Sequence, residues 1–428
     1  MIDRLLKLKI KGDGIIWMVF FFLCIISIIE VFSASSTLTF KSGSYFGPVL
    51  RHTGLLLIGV VFMVATMNIK CKYFKIVTPF ALFLSLFMLI AVLAVGQSTN
   101  GAQRWIGLFG IQFQPSELAK GALILAEAQI LSAMQTENGA DRRAFKYICW
   151  LSLPFVLLIA MENLSTAALL CATIFIMMFI GRVPKSQLNR TIGVVVLMAA
   201  IGISIIMLMG KDEPNITEQS EKMSMTEQVE NPEKKDKLSK IFHRADTWKA
   251  RIDKFLSNKE IAPADYDLDK DGQVAHANIA IASSNVVGKG PGNSVERDFL
   301  SQAFSDFIYA IIIEEMGIWG AFGVCLLYII LLFRTATIAN RCANAFPALL
   351  IMGIALLLVT QAFFNMMVAV GLVPVTGQPL PLISRGGTST IMNCVYIGII
   401  LSVSYTAKKK DDDDKKKVLK TSFGYGIT

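Results

Sequence analysis

Charge is scarce in this chain. Asp, Glu, Lys and Arg make up 17% of its 428 residues, against 54% hydrophobic, and the mean hydropathy is +0.56. Soluble proteins carry about 25% charged residues, so the composition excludes a soluble globular protein and implies an integral membrane one. The seven cysteines, Cys24, Cys71, Cys149, Cys171, Cys325, Cys342 and Cys394, lie in or beside apolar segments with no close pair in a long loop. That pattern excludes a disulfide framework and a cysteine metal cluster. A nucleotide motif is missing as well. Gly288, Gly290 and Gly292 of GKGPGN have no strand before them and no closing Gly-Lys-Ser/Thr, so they form a flexible turn whose N–H groups are able to approach an anion. Asp267, Asp269, Asp271 and Gly272 open like a calcium loop, but the twelfth position is Asn278 instead of Glu, which leaves a polar turn. No convincing cleavage site follows the basic residues Arg4, Lys7, Lys9 and Lys11, and the apolar run from Ile15 to Ser33 reads as a retained helix.

What the chain does contain is a series of apolar runs. A membrane-spanning helix needs about 20 mostly apolar residues. Ten runs qualify, at roughly 15–34, 50–69, 75–96, 116–134, 147–161, 164–181, 191–210, 306–333, 345–371 and 388–405. Lys70, Lys72, Lys75, Arg142, Arg143, Arg182, Lys185, Arg190, Arg334 and Arg341 fall on every second connection, which marks those connections and both termini as cytoplasmic. The net charge of +9 therefore reports orientation and does not call for nucleic acid. The predicted fold is an all-α polytopic membrane protein with ten transmembrane helices: a cytoplasmic N-terminus (1–14), a membrane domain (15–405) and a charged cytoplasmic tail (406–428). A long extracytoplasmic loop, 211–305, joins helices seven and eight. Its first part is polar and of mixed charge. Phe242, Ala245, Trp248, Ile252 and Phe255 then recur at helical spacing and predict an interfacial helix, and a second short helix is predicted over 273–287. The tail run KKKDDDDKKK reads as a solvated charge block near anionic lipid.

Two classes of residue point to chemistry. Short outward connections normally exclude Lys and Arg, yet Arg104 and Arg385 sit in them, and Arg251, Lys289 and Arg297 lie in the long loop. Together they suggest an anionic ligand such as a pyrophosphate, which Arg grips bidentately. With no nucleotide motif, group transfer would draw on an activated, lipid-linked donor. The second class is the acids of FSDFIYAIIIEEMG, residues 304–317. A carboxylate in hydrocarbon costs about 2.5–3.5 kcal/mol on insertion scales, although an acid at a helix start is also favoured by the macrodipole. Taking a helix from 306, Glu314 lies about 80° around from Asp306 and about 12 Å deeper, with Glu315 on the opposite side. Asp306 thus stands alone at the outer surface. Glu314, Glu315 and the equally deep Glu127 read as packing or coupling groups, with Gln361 or Asn365 as candidate partners.

Three outward pieces carry a resemblance: NGAQRWIGLFGIQFQPSELAK (100–120), GNSVERDFLSQAFSDFIYAIIIEEMG (292–317) and GLVPVTGQPLPLISRGGTST (371–390). In that order and on one face, they resemble the SEDS family of polytopic membrane proteins, which includes the RodA and FtsW types. The LPLIS wording looks more like the division-type FtsW branch. The resemblance implies a peptidoglycan glycosyltransferase that polymerises lipid II, an undecaprenyl-pyrophosphate-linked disaccharide peptide, on the outer face of the bacterial cytoplasmic (inner) membrane. It implies a class B penicillin-binding protein and other division proteins as partners. Asp306 matches the family's essential aspartate, Arg104 and Trp105 its R-W-I motif, and Glu117 and Lys120 its P-S-E-x-A-K motif. The implied catalytic set is Asp306 as general base with Lys120 and Glu117. The substrate-binding set joins Arg104 and Trp105 from the motif, and Ser384 of the third segment, to the outward bases Arg251, Lys289, Arg297 and Arg385 singled out by charge. Lys120, about one turn inside its helix, is expected to snorkel outward to Asp306. No resident metal or cofactor is implied, with room left for a divalent cation such as Mg. Gln103 stands where a second basic residue is frequent, Arg385 where Tyr usually precedes Gly386-Gly387, and Asn163 and Ser165 where the family has Asp and Gly. Asn163 is therefore left out of the site. Competing readings are a flippase or transporter of the lipid-linked precursor, an elongation-type RodA-like polymerase, and a non-catalytic division scaffold.

Overall fold

The computed structural model describes residues 11–34, 47–95, 97–99, 102–108, 111–193, 268–300 and 303–424. Helices dominate. In chain order they are α1 (Gly14–Ala34), α2 (Gly47–Met67), α3 (Cys71–Val95), α4 (Pro115–Ala133), α5 (Arg142–Glu162), α6 (Leu164–Ile180), α7 (Leu268–Ser283), α8 (Ile308–Asn340), α9 (Ala345–Ala369) and α10 (Thr388–Gly424). Among the described residues, seven helices are long and apolar enough to cross a membrane: α1, α2, α3, α5, α8, α9 and α10 to Ala407. Two of the ten predicted spans are helical but fall short by that measure. α4 carries Glu117, Lys120 and Glu127 along its 19 residues, and α6 has 17 residues. The predicted seventh span, 191–210, lies outside the described residues beyond 193, as does the predicted interfacial helix at 242–255.

The all-α expectation needs a correction between α3 and α4. There, β1 (Gln97–Thr99), β2 (Ala102–Leu108) and β3 (Ile111–Phe113) form an antiparallel sheet in the order β1-β2-β3, with Trp105 opposite Gln97 and Ile106 opposite Phe113. A two-stranded ribbon, β4 (Gln135–Thr136) with β5 (Gly139–Ala140), follows α4. The sequence holds a cue for the first sheet, because Asn100-Gly101 is a hairpin dipeptide set between short runs able to form strands.

α9 and α10 are the most enclosed spans, and α4 is buried along most of its length. Round them, α3 turns Phe80, Phe83 and Phe87 outward and α5 turns Trp150 outward. α2 and α10 approach so closely that a Cβ on Gly398 would lie 2.6 Å from the Met63 carbonyl oxygen, the small-residue contact that apolar helices use when no water drives them together. The N-terminal end of α1 is fixed to α8: Arg334 donates from Nε and Nη2 to Asp13 Oδ2 at 3.0 and 2.7 Å.

α8 differs from its prediction in three ways. It starts at Ile308 instead of 306, runs on to Asn340, and is broken at Gly317, whose φ of 67° and ψ of −166° are not helical. α7 begins at Leu268 and so takes Asp269 and Asp271 into a helix, where a calcium loop does not form. α10 continues to Gly424 through the run read as solvated charge. The spacing explains this, since Lys408 and Asp412, Asp411 and Lys415, and Asp413 and Lys417 are opposite charges four residues apart, a pattern that supports helix. All seven cysteines are free thiols.

Candidate active site

Asp306 lies in the turn 303–307 that leads into α8, one residue before the helix N-cap Phe307. Ala303 and Phe307, each 1% exposed, anchor the turn in the core and leave Asp306 half-buried. Ser305 Oγ donates to Asp306 Oδ1 at 3.0 Å. The loop before α10 closes over this turn. Ser384 Oγ donates to the Ser305 carbonyl at 2.6 Å, the Arg385 amide donates to the Phe304 carbonyl at 3.0 Å, and the Arg385 guanidinium stands 5.4 Å over the Phe304 ring. Leu382, in the same loop and 1% exposed, holds φ at 67°, a strained value for a branched side chain that the packing around it must impose. The R-W-I and P-S-E segments meet the loop from the other side: Thr388 Oγ1 donates to the Gln112 carbonyl at 3.1 Å and accepts from the Gln114 amide at 3.3 Å. Segments 100–120, 292–317 and 371–390 are thus linked in one constellation.

α9 supports it from below. Asn365 Nδ2 donates to the Asp306 carbonyl at 2.8 Å and to the Gln378 carbonyl at 2.7 Å. One turn earlier, Gln361 Nε2 donates to the Pro379 carbonyl at 3.0 Å and its Oε1 accepts from Lys120 Nζ at 2.8 Å. Gln361 and Asn365 therefore serve the Lys120 and Asp306 side, and the suggested pairing with Glu314 and Glu315 is not what the structure shows. Lys120 is 1% exposed and forms an i,i+3 ion pair with Glu117 Oε1 at 2.8 Å. Its ammonium thus sits on Glu117 and Gln361, where the sequence suggested a reach to Asp306. Pro115 at the start of α4 and Glu117 in its first turn suit a helix N-terminus in geometry and charge, and Tyr396 OH donates to the Glu117 carbonyl at 2.5 Å.

Comparison with known proteins identifies the family. The family profile of the cell cycle proteins FtsW, RodA and SpoVE matches residues 13–409. The chain belongs to this family. Among its relatives, the "Probable peptidoglycan glycosyltransferase FtsW" of Geobacter sp. (strain M18) is 29% identical over 405 residues, covering 92% of this chain and 98% of the relative. The peptidoglycan glycosyltransferase MrdB of Escherichia coli (strain K12) is 27% identical over 397 residues, covering 92% and 94%. Among solved structures, a chain of a peptidoglycan synthase complex that coordinates polymerization and crosslinking superposes with a TM-score of 0.66 at 22% identity, covering 93% of this chain and 99% of that one. The rod shape determining protein RodA of Thermus thermophilus gives 0.60 at 22% identity, covering 92% and 97%. These last two likenesses establish the fold.

In this FtsW/RodA/SpoVE family member, the other predicted site residues fall in different places. Trp105 is half-buried on β2 beside Arg104, whose side chain is outside the described residues, and Arg251 lies outside them altogether. Burial, and secondarily the nearby Arg51, lowers the pKa of the Arg385 guanidinium, and its Nη1 has no hydrogen-bond partner among the described residues. Lys289 and Arg297 are not gathered round Asp306. Lys289 Nζ is 2.6 Å from Glu314 Oε1, and Arg297 Nη1 donates to Ser33 Oγ at 3.0 Å and to the Gly292 carbonyl at 2.6 Å. Asn163 caps α6 by accepting from the Thr166 amide at 3.2 Å, a role consistent with leaving it out. Sequence reasoning missed Ser27, whose Oγ donates to the Ile383 carbonyl at 2.7 Å and lies 2.8 Å from His52 Nε2. The available signal was a polar pair inside two apolar helices. Among the described residues no group of three or more His, Cys, Asp or Glu side chains is placed to hold a metal, so they provide no ready-made site for a divalent cation.

Proposed function

We propose that this protein is a peptidoglycan glycosyltransferase that polymerises lipid II into glycan strands by an inverting transfer at Asp306. One observation supports the assignment of the site: segment 371–390 bonds the turn that bears Asp306 through Ser384 and Arg385 and bonds segment 100–120 through Thr388, so three stretches far apart in sequence are linked. The Asp306 carboxylate takes the proton of the acceptor sugar's C4 hydroxyl as that oxygen attacks the donor's anomeric carbon. A new glycosidic C–O bond forms, the bond to pyrophosphate breaks with inversion, and undecaprenyl pyrophosphate leaves. Arg385 and Arg104 offset the charge gathering on the leaving group, and Trp105 and Ser384 line the approach. Lys120 and Glu117 act behind the turn by holding Gln361, one helical turn from Asn365, which bonds the Asp306 carbonyl.

This reading places the protein in the bacterial cytoplasmic (inner) membrane, in ten spans, with both termini inside and the site outside. Its partner is a class B penicillin-binding protein, and its task is septal wall synthesis. The positive-inside pattern supports the orientation, and the LPLIS wording supports the division role over the RodA-like one. Purified full-length protein with its penicillin-binding partner and fluorescent lipid II tests the reading. Wild type is expected to make polymer and Asp306→Ala none at the same melting temperature. Equal polymer from the variant removes the general-base role, and lipid movement without polymer replaces the polymerase with a transporter.

A further inference from the structure

Glu314 and Glu315 are both 0% exposed, and the mechanism above uses neither. Their partners come from loop 288–297, with Ser33 of α1 joining on Glu315. The Glu314 carbonyl accepts from the Lys289 amide at 2.9 Å, its Oε1 from Lys289 Nζ at 2.6 Å and the Val295 amide at 3.1 Å, and its Oε2 from Ser294 Oγ. The Glu315 carbonyl accepts from the Gly290 amide at 2.8 Å, its Oε2 from the Gly292 amide at 2.9 Å, and its Oε1 from the Ser294 amide at 3.2 Å and from Ser33 Oγ. The glycine-rich turn does approach an anion, and the anion is the chain's own pair of carboxylates. At the break in α8 the two backbones touch. Gly288 and Gly317 have φ of 81° and 67°, and a Cβ on either would lie within 2.4 Å of the other segment's backbone.

We propose that Glu314 and Glu315 are positioning residues for the transfer reaction: they fasten loop 288–297 to the short helix 308–316 and so fix the turn that carries Asp306. The geometry requires such a fastening. Gly317 breaks helical continuity with residues 318–340, which meet the short helix through Tyr309 OH donating to the Ala321 carbonyl at 3.1 Å. The remaining polar fastenings are the loop at one end and Asn365 and Ser384 at the other. The chemistry requires carboxylates. Both oxygens of each side chain accept from donors: a glutamine at 315 would set its NH2 group against a backbone amide, and one at 314 would keep Ser294 Oγ as an acceptor but lose the charge that meets Lys289 Nζ. The inference rests on the polymerase reading only for its kinetic test.

Glu314→Gln and Glu315→Gln in the full-length protein provide that test, read by amide hydrogen exchange of residues 289–295 and by kcat and KM for lipid II polymerisation. Losing charge-assisted bonds of this kind is expected to accelerate exchange about 10-fold or more and to lower kcat by about 10- to 100-fold. KM is expected to stay within about twofold. Should the glutamate variants fail to fold, Lys289→Met and Ser294→Ala weaken the same contacts from the loop side and are expected to give the same signature. Faster exchange with unchanged kcat overturns the positioning role, and unchanged exchange overturns the docking itself. If wild type makes no polymer, the polymerase reading fails while the exchange data still decide the docking.

Discussion

Lys120→Met offers the sharpest test of how the site is held. Lys120 and Glu117 are 1% and 2% exposed, their charged atoms are 2.8 Å apart, and Glu117 Oε2 already lacks a partner. Removing the ammonium strands a buried carboxylate, and breaking a buried pair in this way costs about 3–5 kcal/mol. Removing both charges, as Lys120→Met with Glu117→Gln, is expected to return stability to within about 1 kcal/mol of wild type, because a buried pair roughly balances its own desolvation. The difference between single and double variants isolates the coupling. Denaturant titration in detergent, followed by tryptophan fluorescence, measures it, and polymer formation is assayed in parallel. The double variant is expected to regain stability without regaining polymerisation, since Gln361 has lost its donor and the chain from Gln361 and Asn365 to the Asp306 carbonyl is slack. A loss below about 1 kcal/mol in Lys120→Met would refute the reasoning, because Glu117 would then not be carrying an uncompensated buried charge.

Two further outcomes follow from the frame of the molecule. For Asp13, burial pushes the carboxyl pKa up, but the Arg334 hydrogen bond and charge with the Ile15 and Ile16 amides outweigh it and hold the value below its ordinary 3.8. Its stabilisation is therefore fully present above pH 3.8 and is lost as the pH falls through the depressed folded value. Asp13→Asn is expected to lower the melting temperature at pH 7, with the gap to wild type closing in acid scans. Gly317→Ala meets a backbone conformation open almost only to glycine and a Cβ position 2.4 Å from the Val286 carbonyl oxygen. A loss of at least about 2 kcal/mol in denaturant titration is expected.

Seven of the spans were legible from apolar length, whereas α4 and α6, helical as expected, fall short of that measure. Asp306, Ser384 and Arg385 were legible through motif order, and their convergence is a fact of folding that spacing did not show. The helical angle that set Glu315 opposite Glu314 does not hold, because Asp306 precedes the helix and both glutamates meet loop 288–297, and Gln361 and Asn365 bond elsewhere. A further cause was treating α8 as continuous: a glycine with positive φ reads in sequence as a tolerated residue in an apolar helix. Lys289 and Arg297 were grouped with the anion-binding bases on charge alone, and charge does not tell which carboxylate a base will meet. The β1–β3 sheet was lost inside a segment labelled as a connection.

The plugged break at Gly317 also decides where the protein tolerates editing. Long extracytoplasmic loops are the usual place for insertions and deletions, because their backbone groups can turn to water. The Glu314 and Glu315 carbonyls cannot do so: they end a half-helix inside an apolar bundle and are met by the Lys289 and Gly290 amides. Hydrocarbon supplies no donor in their place, and an unmet backbone group there costs several kcal/mol. Residues 288–295 are therefore tied to the packed helices by their backbone, although hydropathy assigns them to the loop. Tags, cleavage sites and loop exchanges in this protein should stop short of Val286.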